Sequence, residues 1–112
     1  MNYELFKNKY SGTFEKWKPG GFVEIVEPHP DGLLFIGTDN VVYKYYDHSL
    51  YEFFDSLYIY GSVDTDPTGK RWWYKINGVN FFDYFEGRKE AEDALYLKMA
   101  HIHESSMLEK IL

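Results

Sequence analysis

Short segments in which apolar and polar residues alternate recur along the chain, and this period of two is typical of β-strands with one buried face. The predicted strands are Phe22–Glu27, Leu33–Gly37, Val41–Tyr46, Tyr58–Val63 and Arg71–Ile76, with a sixth after Asn77-Gly78. Turn-forming residues at 28–32 and 38–40 separate the first three strands, so we expect those strands to form an antiparallel meander.

Apolar residues at a spacing of three or four predict helices elsewhere. A short helix is predicted over 2–9 and an internal helix over 50–57. Ser49, followed three residues later by Glu52, has the form of a capping box that begins the internal helix.

The C-terminal region is predicted to contain the longest helix, because Arg88–Glu104 consists largely of strong helix formers. Its apolar stripe is predicted to be Ala91, Ala94, Leu95, Met99 and Ile102. Ser105-Ser106 is expected to interrupt the helix before a final short turn that carries Met107, Leu108, Ile111 and Leu112.

The predicted fold class is therefore α+β. We expect a single domain over 1–112, built on one antiparallel sheet of five or six strands. The C-terminal helix is expected to pack on one face of that sheet, with one short internal helix.

Asn77-Gly78 is the strongest local signal, since this dipeptide favours a type I′ turn with positive φ at both residues. A two-residue loop also determines which residues of the two strands face each other. The predicted pairs are Ile76 with Val79, Lys75 with Asn80, Tyr74 with Phe81, Trp73 with Phe82, Trp72 with Asp83 and Arg71 with Tyr84.

Alternation along this hairpin divides its side chains into two faces. The face expected to be buried holds Trp72, Tyr74, Ile76, Val79, Phe81 and Phe85. The other face mixes cations with rings and holds Arg71, Trp73, Lys75, Asn80, Phe82 and Tyr84. Trp, Tyr and Arg are enriched at binding hot spots. Three alternatives remain open for this second face: coverage by the same chain, for example by segment 1–20; contact with another protein or a second copy; or stacking of nucleobases.

The composition adds that aromatic residues make up 21% of the 112 residues, which is more rings than a small domain easily buries. Cysteine is absent, which excludes thiolate zinc sites and favours a cytoplasmic location. Residues 1–10 alternate in charge and no later stretch is long and apolar, so we expect neither a signal peptide nor a membrane span.

The net charge is −6, and residues 21–70 hold nine acidic residues against two lysines, a balance of −7. Such a section repels phosphates and attracts basic partners. The carboxylates that could imitate phosphates are Glu24, Glu27, Asp31, Asp39, Asp47, Glu52, Asp55, Asp64 and Asp66.

Motifs for catalysis or metal binding are weak. Residues 64–69 resemble the opening of a calcium-binding EF-hand loop, but the twelfth position is Lys75 and Pro67 lies within the loop, so we interpret them as a hairpin loop. His101 and His103 would point about 200° apart on a helix and could not share an ion. No serine lies in a nucleophile elbow. We therefore expect no enzyme activity, no metal and no cofactor.

Taken together, the sequence predicts an acidic protein-interaction module, either an inhibitor or a nucleic-acid mimic, that binds a basic protein and neither nucleic acid nor membrane. A small-ligand-binding domain and a homodimer formed through the aromatic face are the alternatives. The residues predicted to contact the partner are Asp64, Asp66, Arg71, Trp73, Lys75, Phe82 and Tyr84.

Overall fold

The computed structural model describes residues 1–111, apart from the side chains of Pro28, Lys110 and Ile111. The fold is α+β, as predicted, and divides into two compact units, Met1–Leu50 and Tyr51–Leu112. Leu112, which was predicted to lie in a final turn, is outside the described residues. The single-domain expectation stays a prediction.

The first unit begins with two short helices, α1 (Tyr3–Lys9) and α2 (Ser11–Trp17). The side chain of Asn2 caps α1 by accepting a hydrogen bond from the Leu5 N–H at 3.0 Å. The helix predicted over 2–9 is thus confirmed, whereas α2 was not predicted. The buried aromatic side chains of these helices are Tyr3, Phe6, Phe14 and Trp17, and their rings contact one another.

Three antiparallel strands complete the first unit: β1 (Phe22–His29), β2 (Gly32–Gly37) and β3 (Val42–Tyr46). Their order β1-β2-β3 confirms the predicted meander. The first strand was predicted to end at Glu27, and this was wrong. The strand β1 continues to His29, which pairs with Gly32. Proline lacks an N–H donor, and an edge strand such as β1 tolerates that loss.

The internal helix predicted over 50–57 is present as α3 (Ser49–Ser56), in which Leu50 and Phe54 are fully buried. The strand expected over 58–63 begins later, as β4 (Gly61–Thr65). Tyr58 has φ +62°, and a residue in that region cannot continue a strand.

The second sheet consists of β4, β5 (Trp72–Ile76) and β6 (Val79–Phe85), in the order β4-β5-β6. The expectation of one sheet with five or six strands was therefore wrong, since the six strands within residues 1–111 form two sheets of three. The alternation of apolar and polar residues identifies each strand but does not indicate which other strands it pairs with. Because α3 and the turn at Tyr58 follow β3, no hairpin joins β3 to β4.

The long helix α4 (Arg88–Ile111) packs on one face of the second sheet, as predicted. Gly61 permits this close approach, because a Cβ there would lie 2.6 Å from Met99 Sδ and 2.9 Å from Leu95 Cδ1. The predicted interruption at Ser105-Ser106 was wrong. Serine in a helix costs only roughly 0.5 kcal/mol relative to alanine, which packing of the buried helix face offsets.

Candidate functional site

The turn between β5 and β6 has the predicted geometry, with φ +50° at Asn77 and +80° at Gly78. Three predicted pairs next to the turn are confirmed: Ile76 with Val79, Lys75 with Asn80 and Tyr74 with Phe81. The pairing beyond them differs from the prediction.

A β-bulge shifts the outer part of the hairpin by two residues, so that Trp72 pairs with Phe85. The predicted partners Asp83 for Trp72 and Tyr84 for Arg71 were therefore wrong, whereas the pairing of Trp73 with Phe82, which lies inside the bulge, stays a prediction. The extra residues give Trp73 room to contact two rings of β6. Because the shift is even, Phe85 stays on the same face as Trp72, and the predicted division into two faces is preserved.

Three rings contact one another on the face of the second sheet that α4 does not cover. The Trp73 ring centroid lies 5.8 Å from that of Phe82 and 6.1 Å from that of Tyr84, and Phe82 and Tyr84 are 6.1 Å apart. Phe82 and Tyr84 remain 57% and 55% exposed. Within the second unit, no described element covers these rings, and the alternative in which segment 1–20 covers them stays a prediction.

Polar groups surround the three rings. The Arg71 guanidinium carbon lies 5.4 Å from the centre of the Tyr84 ring, a cation–π distance. Trp73 Nε1 donates to Asn80 Oδ1 at 3.3 Å, which satisfies the indole N–H. We call the surface formed by Arg71, Trp73, Lys75, Asn80, Phe82 and Tyr84 the ring face.

The opposite face of the hairpin is the core of the second unit. Tyr74 and Ile76 are only 5% and 4% exposed, whereas Trp72, Phe81 and Phe85 are half-buried. Val79 was predicted to be buried with them, and this was wrong. It lies beside the turn and is 59% exposed, although its partner Ile76 is buried.

The two aspartates predicted to contact a partner have different surroundings. Asp64 pairs with Trp73 across β4 and β5, and its Oδ2 lies 3.9 Å from Lys75 Nζ at the edge of the ring face. Asp66 is held in the following loop, where its Oδ1 accepts from the Thr68 hydroxyl at 2.8 Å and from the Lys70 N–H at 3.2 Å. The hydrogen bond from Thr68 is the main reason that the pKa of Asp66 is lowered. The carboxylate of Asp66 therefore organises the loop.

Other carboxylates of the acidic middle section also have partners within the first unit. Asp31 lies 2.8 Å from Lys44 Nζ and 2.6 Å from His29 Nδ1. Asp47 is buried and accepts a hydrogen bond from the Tyr3 hydroxyl. These contacts assign structural roles to several of the acids that could have imitated phosphates.

A polar cluster joins α3 to α4 in the second unit. Glu92 Oε2 accepts from the hydroxyls of Tyr51 and Tyr96 at 3.1 and 3.2 Å, and Glu92 Oε1 accepts from Arg88 Nε at 3.0 Å. Burial raises the pKa of both tyrosines, so their phenols stay protonated and act as donors. Sequence patterns missed this cluster because they do not indicate that the two helices meet.

The histidines lie in separate surroundings. His101 is exposed, whereas His103, on the same helix, is buried beside the Phe53 ring. Over the residues that the structure describes, no group of three or more His, Asp or Glu side chains is placed to hold a metal ion. Nor does any described helix combine the length and apolar character that crossing a membrane requires.

Comparisons of the chain with protein-family models, with curated proteins and with solved structures give no match.

Proposed function

We propose that this chain is a protein-interaction module that binds its partner through the ring face of the second sheet. The observation that carries the proposal is the set of three touching rings, Trp73, Phe82 and Tyr84, on a face that no described element of the second unit covers.

The energetic argument starts from the exposed area. An aromatic side chain buries roughly 150–250 Å² when fully covered, so covering the exposed half of Phe82 or Tyr84 removes roughly 100 Å² from water. At about 25 cal/mol per Å², that is roughly 2.5 kcal/mol for each ring. This magnitude is in the range of binding hot spots, which cost about 2 kcal/mol or more on truncation.

The fixed geometry of the rings supports the same conclusion. The hydrogen bond from Trp73 to Asn80 and the placement of Arg71 over Tyr84 hold two of the three rings in position before any partner arrives. A surface that is already ordered loses less conformational entropy on binding. Such rings are suited to contact a complementary apolar patch.

The partner we propose is a basic protein. The chain carries a net charge of −6, which attracts a positively charged protein over long range, and salt weakens that attraction. An inhibitor that covers a basic target is one form of this proposal, and a cytoplasmic location belongs to it as well. The nucleic-acid-mimic form receives less support, because Asp31, Asp39, Asp47 and Asp66 all have partners within the chain.

A homodimer is the second candidate, favoured by the charges at the edge of the ring face. Arg71 and Lys75 are cations, whereas Asp64 next to them is an anion. A face that carries both signs can be complementary to itself across a two-fold axis.

The test compares two variants, each of which replaces two exposed apolar or aromatic side chains with serine. Phe82→Ser with Tyr84→Ser removes two rings of the ring face. Val42→Ser with Tyr46→Ser removes two side chains of similar exposure, 54% and 49%, from β3 in the first sheet. Partners that co-purify with the wild-type chain are identified by mass spectrometry, and the affinity of the leading one is measured in low and high salt.

We expect the first variant to lose affinity by tenfold or more and the second to bind like the wild-type chain. Light scattering of the purified chain distinguishes the homodimer, which the first variant alone would convert to monomer. Equal binding and equal mass for both variants would contradict a role for the ring face.

A further inference from the structure

A small pocket lies in the first unit, between the turn before β1 and the turn that joins β2 to β3. Its volume is about 200 Å³. The residues that line it are Gly20, Gly21, Phe35, Gly37, Thr38, Asp39 and Tyr43. Phe22 pairs with Gly37, which brings the two turns together although they are distant in sequence.

The pocket depends on Gly37. A Cβ at this position would lie 2.9 Å from Asp39 Oδ1 and 2.9 Å from the Tyr43 ring carbon Cε2, both closer than real contacts allow. The absence of a side chain therefore permits the carboxylate and the phenol ring to approach the same point. Gly21, on the other side, has φ +77°, a conformation that favours glycine.

The carboxylate of Asp39 is oriented by two hydrogen bonds. Its Oδ1 accepts from the Val41 N–H at 3.1 Å, and its Oδ2 accepts from the Tyr43 hydroxyl. The bond from Tyr43 is the largest cause of the lowered pKa of Asp39, and it raises the pKa of the Tyr43 phenol. Asp39 is therefore ionised at neutral pH, and a carboxylate offers about four acceptor positions, of which these bonds occupy two.

Two stacked aromatic rings lie next to this carboxylate. The rings of Phe35 and Tyr43 stack with centroids 5.6 Å apart and planes inclined by 26°. The faces of aromatic rings attract cations, and a carboxylate adds a formal negative charge and hydrogen-bond acceptors. None of the residues lining the pocket is a lysine or arginine.

We propose that this pocket is a binding site for an organic cation, a guanidinium or alkylammonium group, held by the Asp39 carboxylate against the Tyr43 ring. The size of the pocket sets an upper limit on the ligand. Sites for drug-sized molecules measure roughly 300–1,000 Å³, so about 200 Å³ has room for one such group on a short alkyl chain. The proposal uses residues of the first unit only and does not rest on the ring face.

Two sources can supply this chemistry. One is a free small molecule that carries a guanidinium or ammonium group, and the other is an arginine or lysine side chain of a bound protein. Butylguanidinium represents the first source, and a capped peptide with one arginine between glycines represents the second. Butylurea, which has nearly the same shape and no charge, is the matched neutral probe.

The experiment is a titration of the ¹⁵N-labelled full chain at constant ionic strength, followed by the amide signals of Gly20, Gly21 and Thr38. We expect saturable shifts at these amides with butylguanidinium and none with butylurea. Asp39→Asn, which keeps the acceptor for Val41, should weaken binding about tenfold. Glu24→Gln removes one exposed charge of the same unit and should leave the affinity unchanged.

Several results would overturn the proposal: no saturable shift with either cation, equal shifts with butylurea, or equal weakening by Asp39→Asn and Glu24→Gln. The neutral-probe comparison uses the wild-type chain, so it remains decisive if a variant fails to fold. If the peptide binds tenfold more tightly than butylguanidinium, the site recognises a side chain of a partner. Equal affinities identify a site for a free cation.

Discussion

Asn77 and Tyr60 are connected by two hydrogen bonds that extend the second sheet beyond its paired strands. The Tyr60 N–H donates to Asn77 Oδ1 at 2.8 Å, and the Asn77 N–H donates to the Tyr60 carbonyl at 2.8 Å. Asn77 Nδ2 also donates to the Tyr58 carbonyl at 3.3 Å. Asn77 thus provides the positive φ of the turn and orders the segment that leads into β4.

Substitution of Asn77 should separate these two roles. Asn77→Gly keeps the turn but removes the side-chain bonds to residues 58 and 60, and we expect a loss of about 1 kcal/mol in the free energy of unfolding. Asn77→Ala also adds the strain of a positive φ, which raises the expected loss to about 2 kcal/mol. Urea unfolding measures both. Equal stability of the glycine variant and the wild-type chain would show that only the turn matters.

Gly61 should not tolerate a side chain, because α4 lies directly against it. A Cβ on Gly61 would collide with Met99 Sδ, so Gly61→Ala is expected to destabilise the chain by roughly 1–3 kcal/mol. Gly20→Ala is the control, since a Cβ there meets nothing within 4 Å. Thermal unfolding of both variants gives the comparison. A similar midpoint for the two variants would mean that α4 does not pack on Gly61.

Alkaline pH should weaken the cluster formed by Tyr51, Glu92 and Tyr96. Burial is the main cause that raises the pKa of both phenols above their usual value of about 10, so the folded chain holds these protons more tightly than the unfolded chain. The stabilisation is therefore complete below about pH 10 and is lost as the pH rises further.

The measurement is the free energy of unfolding between pH 8 and pH 11. The double substitution Tyr51→Phe and Tyr96→Phe should flatten its decline, whereas Tyr58→Phe, at an exposed tyrosine, should leave the decline as in the wild-type chain. If the free energy of unfolding falls equally with pH in all three proteins, the cluster is not the cause of the decline.

Asp66 should stabilise the loop between β4 and β5 only while it is ionised. Its lowered pKa means that the stabilisation is present above the usual value of about 4 and is lost as the pH falls below it. Asp66→Ala should therefore lower the urea midpoint at pH 7 and have a smaller effect at pH 3. Asp55→Asn removes an equal charge from α3 and serves as the control. A pH-independent effect of Asp66→Ala would contradict an electrostatic role.

The sequence predicts those features of the fold that are determined by residues close to one another along the chain. Asn77-Gly78 correctly predicts the turn and the three residue pairs next to it, because a two-residue loop determines which residues face each other beside the turn. The bulge beyond Tyr74 places extra residues of β6 opposite β5, and the alternation of apolar and polar residues does not indicate where such extra residues lie. The missed helix α2 did leave a signal, because Tyr10, Phe14 and Trp17 follow the spacing of one helix face.

The pairing of strands that are far apart in the sequence could not be predicted in the same way. The assignment of six strands to two sheets depends on which strand pairs with which, and each strand has the same alternating pattern in either arrangement. The pocket in the first unit likewise requires residues 20, 21, 37 and 43 to meet through strand pairing. The candidate ring face was predictable because the even shift at the bulge leaves the division of faces intact.

Tyr74 and Tyr84 provide a direct test of that division, because they are the same residue type on opposite faces of one hairpin. Tyr74 is buried under α4 and stacks on Phe81 with centroids 5.3 Å apart, whereas Tyr84 is mostly exposed. Tyr74→Ala should therefore cost roughly 3–5 kcal/mol of stability, as for other buried aromatic residues. Tyr84→Ala should cost less than about 1 kcal/mol, because the Tyr84 ring is more than half exposed and little buried area is lost with it. Urea unfolding of the two variants measures the difference. If both substitutions cost the same, the rings of the ring face act as a second core, and their exposure no longer supports a binding role.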